Sequence, residues 1–194
     1  MARVYYPRQT TVVGKAMWFK VNNIVDVFDG DDVGYAAPVY FDEATIAKFK
    51  EDAKAMLEEQ RTAKEFTNEK TGKPLKWRDV PRSPIKEDDE GNEYVVFKTY
   101  HLLPDGSRKK IPVFDSSGRP LEDVTIGNGS LVQIAYTPSV FHNNVEQNGV
   151  KFYLDAIMVD TLVEFGGAGG TDAKSFGFKT KADEYFPDDE PFVD

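Results

Sequence analysis

The chain has 194 residues, 40% of them apolar and 13% aromatic, enough for one domain with a real core plus appendages. The absence of cysteine excludes a disulfide framework and a thiolate zinc site. No apolar run approaches the about 20 residues of a membrane span and no signal-peptide core is present, so a soluble, unexported protein is expected.

A net charge of −9 and a pI near 4.8 argue at face value against nucleic acid. The charge is unevenly placed, however. Six acids fall between Asp183 and Asp194, and without them the remainder carries only −3.

In chain order, Thr11–Val21 reads as a first strand, with Gly14 marking a bulge or bend. Asp29-Gly30-Asp31-Asp32 is a turn, and Ala37–Phe41 a short strand. A helix is predicted over about Glu43–Lys64. Asp42 is its N-cap, Phe41 and Ile46 form a hydrophobic staple, and Ile46, Phe49, Ala53, Met56 and Leu57 make one apolar stripe. Its charged face reads as solvated surface.

Residues Thr67–Asp89 form a long basic connection carrying Lys70, Lys73, Lys76, Arg78, Arg82 and Lys86, with Trp77 in the middle. Pro74, Pro81 and Pro84 argue against regular structure there, and loops of this length are usually functional or disordered. Glu93–Leu103 alternates as a strand, Leu103–Ser107 turns, and Arg108–Phe114 returns as the second arm of a hairpin. Asp115–Gly118 is another turn. Leu131–Thr137 is a strand, and Val150–Phe165 a long final one after Gln147-Asn148-Gly149. Frequent turns, about five strands and one inserted helix suggest a mainly β Greek-key barrel of the OB type, with a plain sandwich as the alternative.

A search for catalytic chemistry returns little. His101 and His142 are far apart, and no zinc-protease, hydrolase-triad or P-loop pattern occurs. No metal and no cofactor are expected, and the chain does not read as an enzyme.

The strand Glu93–Leu103 is more informative. One face carries Val95, Phe97, Thr99, His101 and Leu103 and reads as core. The other carries Tyr94, Val96, Lys98, Tyr100 and Leu102, interleaving rings with a cation. Single-stranded nucleic acid needs flat rings for bases and cations for phosphates, although a solvated outer face would look the same on one strand alone. Other rings also sit beside cations: Arg3, Tyr5, Tyr6 and Arg8; Lys15, Trp18 and Lys20; Trp77 between Lys76 and Arg78. Phe141 and His142 come after the Leu131–Thr137 strand at the edge of a loop, where Phe141 could plug a barrel end.

These pieces in this order resemble the single-stranded DNA-binding proteins of T7-type bacteriophages. The matching residues are Pro74-Leu75-Lys76, Phe97-Lys98-x-Tyr100, and Val113-x-Asp115-Ser116-x-Gly118 with Glu122-Asp123-Val124. Further on they are Gly129-Ser130-x-Val132 running to Tyr136, and Val163-Glu164-Phe165-Gly166-Gly167. No single motif is specific; their order and spacing together are, and the match is strongest after residue 40. The resemblance implies an OB barrel that coats single-stranded DNA in replication, recombination and repair, in the cytoplasm of an infected bacterial host. It implies that Lys98 and Tyr100 lie on the DNA-binding face, that Phe141 takes the place of a stacking tyrosine, and that Lys70 falls near a basic residue important for binding. Lys73 and Lys15 are added as phosphate contacts, and Tyr94, Trp18 and Trp77 as stacking candidates. Val96, Gln133 and Ala135 stand where the family pattern has lysines.

Residues 1–165 are thus expected to form the DNA-binding domain, and 166–194 a glycine hinge (Gly166–Gly170) followed by an acidic tail. Asp183–Asp194 holds six acids, two prolines and the rings Tyr185, Phe186 and Phe192, a composition expected to be disordered. A chain from Phe165 to Phe192 spans roughly 30 Å, against a domain radius of about 20 Å, so it can reach its own groove. The tail is expected to compete with DNA and, once displaced, to present Asp188, Asp189, Glu190, Phe192 and Asp194 to a phage or host polymerase or helicase. A homodimer is compatible with this reading, and no membrane partner is expected. The competing reading is an acidic interaction or DNA-mimic module without DNA affinity. Its signature would be acids lining the face that carries Lys98 and Tyr100.

Overall fold

The computed structural model describes residues 2–28 and 31–163. Among them run β1 (Ala2–Tyr5), β2 (Gln9–Thr10), β3 (Gly14–Ala16), β4 (Asp26–Phe28), β5 (Asp31–Tyr40), α1 (Glu43–Gln60), a 3₁₀ turn (Lys64–Phe66), β6 (Ile85–Glu87), β7 (Glu93–Thr99), β8 (Val113–Asp115), β9 (Leu131–His142) and β10 (Asn148–Thr161).

Antiparallel pairs join β3 to β5 and β5 to β7. The seventh strand lies parallel to β10, β10 is antiparallel to β9, and β9 returns to β3. Five strands therefore close into a barrel, β3-β5-β7-β10-β9, whose third and fifth members in chain order are parallel. This is the OB arrangement expected from the sequence. The short strands are additions: β1 and β2 lie on β9, β4 on β5, β6 on β7 and β8 on β10.

Alternation along the strands fills the barrel. Val39, Val95, Phe97, Val132, Ile134, Phe152 and Leu154 are all buried on its inside. The helix closes one end, and its plug is Phe49 rather than Phe141: the Phe49 ring lies 5.8–6.4 Å from those of Phe97, Tyr136 and Phe152. Asp42 caps the helix as expected, its carboxylate accepting a hydrogen bond from the Thr45 amide at 2.7 Å. The helix ends at Gln60, short of Lys64, because Phe66 is drawn fully into the core against Trp77 and the chain must turn to reach it.

Several expected boundaries shift for physical reasons. The Thr11–Val21 strand is interrupted after Ala16, where Trp18 adopts φ +53°. The strand read as Ala37–Phe41 begins at Asp31, and the expected turn residues 29 and 30 lie outside the described residues. Pro84 does not exclude a strand after it. It precedes β6, where its missing N–H costs nothing, and its carbonyl accepts from Val96. The core-facing alternation of the strand read as Glu93–Leu103 holds through Thr99, where pairing with β5 ends, and Leu103 is left exposed. The expected hairpin return Arg108–Phe114 pairs back only at its start, through an antiparallel bridge of Leu102 with Arg108 and the Lys109 amide donating to the His101 carbonyl, and β8 then pairs in parallel with β10.

The strand predicted over Leu131–Thr137 continues through Pro138 to His142, so Phe141 lies in a strand and not at a loop edge. Pro138 is tolerated because its carbonyl, and hence its nitrogen, faces the side where pairing is broken between Tyr5 and Gln9. The final strand begins at Asn148 and ends at Thr161. The Gly166–Gly170 hinge and the tail lie outside the described residues.

Candidate nucleic-acid interface

In an OB barrel the second and third strands and the loops joining strands one to two and four to five form the face that meets oligonucleotides. Here these are β5, β7, residues 17–25 and residues 143–147. Of the grooves along this region, two have opposite chemistry.

The first groove, of about 350 Å³, lies over β7 and the start of β10 beside the β9–β10 loop. Arg3, Arg82, Lys86, Lys98 and Lys151 line it with Tyr100 and Phe141, and no carboxylate does. Each cation arrives on a different element. Pairing of β1 with β9 sets Arg3 opposite Phe141, with the guanidinium 5.9 Å from the ring centre. Arg82 is carried in by the pairing of its backbone with Gly149, whose φ is +144° and where a Cβ would collide with the Arg82 backbone. Lys86 comes with β6 and Lys98 with β7.

Lys151 sits at the centre. Its ammonium lies 5.0 Å from the Tyr100 ring centre and 4.6 Å from that of Tyr153. The Tyr153 hydroxyl in turn accepts from Arg3 at 2.8 Å. Burial, followed by the positive charges of Arg3 and Lys98, pushes the Lys151 ammonium down to about 8. No carboxylate among the described residues pairs with it.

Lys98 meets Asp26 at 3.4 Å, and Asp26 also binds Lys20 at 2.7 Å. Burial alone would raise the Asp26 carboxyl; the two ammonium groups outweigh this and hold it below the usual range. Tyr100 is 57% exposed, so its ring is available to a stacking partner.

The second groove, of about 840 Å³, lies beyond the other end of β7. Its floor is Met17, Trp18, Tyr40, Phe41 and Ile46, and its rim is Glu43, Asp88, Asp89, Glu90 and Glu93, with Lys15 the one cation on its lining. Trp18, Tyr40 and Tyr94 form a ring cluster with centroids 5.2–6.1 Å apart. The left-handed Trp18 backbone is fixed by a 2.7 Å hydrogen bond from its amide to the Asn128 side chain.

The structure thus brings Lys98, Tyr100 and Phe141 together, and places Lys15, Trp18 and Tyr94 in a separate group. Trp77 belongs to neither: its ring is taken up in packing against Phe66 and His142. Lys70 and Lys73 lie on an exposed turn closed by Asn68 and line neither groove. The sequence reading left Lys151 and Tyr153 out of the site. Their spacing of two on the last strand was the available signal, since it puts both on one face.

No family model matches the sequence, and no curated protein matches it by sequence. Solved structures do match. Gp2.5, a single-stranded DNA-binding protein encoded by bacteriophage T7, aligns over 92% of this chain and 97% of its own at 21% identity, with a TM-score of 0.64. The resemblance read from the sequence is met at the level of the fold. The single-stranded DNA-binding protein of bacteriophage Enc34 aligns over 88% of this chain and 90% of its own at 14% identity, TM-score 0.51. The same protein in complex with single-stranded DNA aligns over 82% and 89% at 15% identity, TM-score 0.53.

Among the described residues no cluster of three or more His, Asp or Glu side chains could hold a metal ion, and no helix is long and apolar enough to cross a membrane.

Proposed function

We propose that this chain is a non-enzymatic, sequence-independent single-stranded DNA-binding protein of a bacteriophage. It would act on DNA exposed in replication, recombination and repair in the cytoplasm of the infected host. The observation that carries the reading is the groove over β7 and β10: five cations, the rings of Tyr100 and Phe141, and no carboxylate, on the oligonucleotide face of an OB barrel. The bound state of an Enc34 structure with this fold supports it. Phosphates meet Arg3, Lys98 and Lys151, with Arg82 and Lys86 along the edge, and bases stack on Tyr100 and Phe141. Lys70 and Lys73 extend the track only if the DNA leaves the groove toward their turn.

The acidic residues Asp188, Asp189, Glu190 and Asp194, with Phe192, compete for this groove in the absence of DNA. They dock a polymerase or helicase once displaced. The DNA-mimic alternative required acids beside Lys98 and Tyr100. The groove that holds those two residues has none on its lining; Asp26, which meets Lys98, is also held by Lys20, and the other acids near β7 surround the second groove, an arrangement that favours DNA binding.

The test is a fluorescence titration against oligo-dT at two salt concentrations, with the full chain and with residues 182–194 removed. Binding should weaken with salt, by a log–log slope of about −0.7 per phosphate contact, and should tighten without the tail. Absence of binding at low salt overturns the reading. Unchanged or weaker affinity after truncation overturns the competition.

A further inference from the structure

The acid-rimmed groove carries a single cation on its lining, yet it presents a Trp18 ring that is 47% exposed on a left-handed backbone. A bulky residue held at positive φ, with its ring in solvent, is a feature in search of an occupant. Phosphate is an unsuitable one, because Glu43, Asp89 and Glu90 pair with no lysine or arginine among the described residues and leave the rim negative. The occupant must therefore be apolar and basic.

The chain supplies such a segment. Residues 174–181 read Lys-Ser-Phe-Gly-Phe-Lys-Thr-Lys, with three lysines, two phenylalanines and no acid. They come after a ten-residue stretch, 164–173, that contains four glycines.

The place where the chain leaves the barrel brings this segment to the groove. The Val163 carbonyl accepts from the Gly127 amide at 2.8 Å, and the Val163 amide donates to Ser130 Oγ at 2.9 Å. The same turn, residues 127–130, holds β3 through the Gly129 amide donating to the Ala16 carbonyl, and holds Trp18 through Asn128. The chain thus exits one turn away from the rim of the groove. A glycine-rich stretch of ten residues spans roughly 18 Å, enough to set the next segment over Trp18 and Tyr40.

We propose that Lys174–Lys181 docks in this groove in cis, with Phe176 and Phe178 against the Trp18, Tyr40 and Tyr94 rings and the lysines on the Asp89 and Glu90 rim. The other groove would repel the segment, being lined by five cations, so charge selects the site as well as reach. Docking also re-anchors the acidic tail. Its first acid after the segment, Asp183, lies two residues beyond Lys181, and Lys98 lies about 13 Å along β7 from Tyr94. On the reading that the tail competes with DNA, the tether to Asp188 shortens from 25 residues after Val163 to seven after Lys181, which raises its effective concentration several-fold.

The absence of native cysteine allows a direct test that involves no DNA, so its failure is separate from failure of the DNA-binding reading. Full-length chains carrying Glu90→Cys with Phe178→Cys are oxidised at low protein concentration. The rate of the intramolecular disulfide is compared with that of Val145→Cys with Phe178→Cys. Val145 is exposed just beyond His142, the far end of β9 from Leu131, which pairs with Lys15; it lies roughly 35 Å from the groove. Docking predicts a rate about tenfold above this control. That rate should fall to the control level when Lys174, Lys179 and Lys181 are changed to Glu. Equal rates for the two pairs overturn the proposal. A disulfide formed chiefly between two chains overturns docking in cis and assigns the groove to a second copy.

Discussion

Two grooves lie toward opposite ends of one strand, β7, and have opposite chemistry. At the Lys98 end, cations and half-open rings converge from five elements with no acid on the groove lining, and the one carboxylate that meets Lys98, Asp26, is shared with Lys20. At the Tyr94 end, a comparable set of rings is framed by carboxylates. Rings alone therefore do not define where a nucleic acid lies. On the proposed reading the charge that surrounds them does, because a base cannot be brought to a stacking ring without its phosphate. The difference also shows why the whole-chain charge misleads: between these two grooves the lining acids and cations are segregated.

The largest expected effect breaks the cationic groove by its scaffold. Gly149→Ala puts a Cβ into the Arg82 backbone at φ +144°, which should cost at least about 2 kcal/mol in urea denaturation and displace Arg82. A loss below about 0.5 kcal/mol would show that this contact does not fix the groove.

Removing charge comes next. Changing Lys98 and Lys151 together to Ala should weaken oligo-dT binding by roughly 10- to 100-fold and make the salt slope shallower by about 1.4. The same changes at Lys15 and Lys70 should leave the slope within about 0.7 of the parent.

Tyr100→Ala should cost about 1–3 kcal/mol of binding with the salt slope unchanged, since stacking releases no counterions. A changed slope would mean that the ring acts by holding Lys151 in place.

On the proposed reading that the charged form of Lys151 meets phosphate, its ammonium, lowered to about 8, gives a pH effect of definite sign. Its neighbours in the groove are Arg3 from β1, Lys98 and Tyr100 from β7 and the loop after it, and Tyr153 from β10. Phosphate restores the proton, so affinity should be full below the lowered value and fall about tenfold between pH 7 and pH 9. Lys151→Arg should flatten this profile, measured in the same titration.

The smallest effect sharpens the comparison most. Trp18→Ala should change DNA affinity less than about twofold while abolishing the rapid Glu90–Phe178 disulfide of the doubly substituted chain. A loss as large as that of Tyr100→Ala would join the two grooves into one DNA track.

The helix and the outer face of β7 were legible in the sequence because their information is local. Asp42 caps the turn next to it, the Ile46–Phe49–Ala53 stripe has helical spacing, and Lys98 and Tyr100 alternate with the core residues Phe97 and Thr99. The OB resemblance rested in the same way on order and spacing along the chain.

What could not be read there depends on contacts between distant residues. Arg3 reaches Tyr153 across 150 positions, and Lys151 becomes central only because the parallel pairing of β7 with β10 sets Tyr153 beside Lys98. Trp77 looked like a stacking residue between two cations, but burial of Phe66 draws its ring inward. Trp18 and Tyr94 matched the same ring-and-cation pattern as Tyr100 until the 88–93 turn folded its acids around them. The order of residues alone dictated the inventory of rings, cations and turns and the barrel they would build. Which ring meets which charge was settled only on folding, because a closed barrel sets strand neighbours by register and not by proximity along the chain.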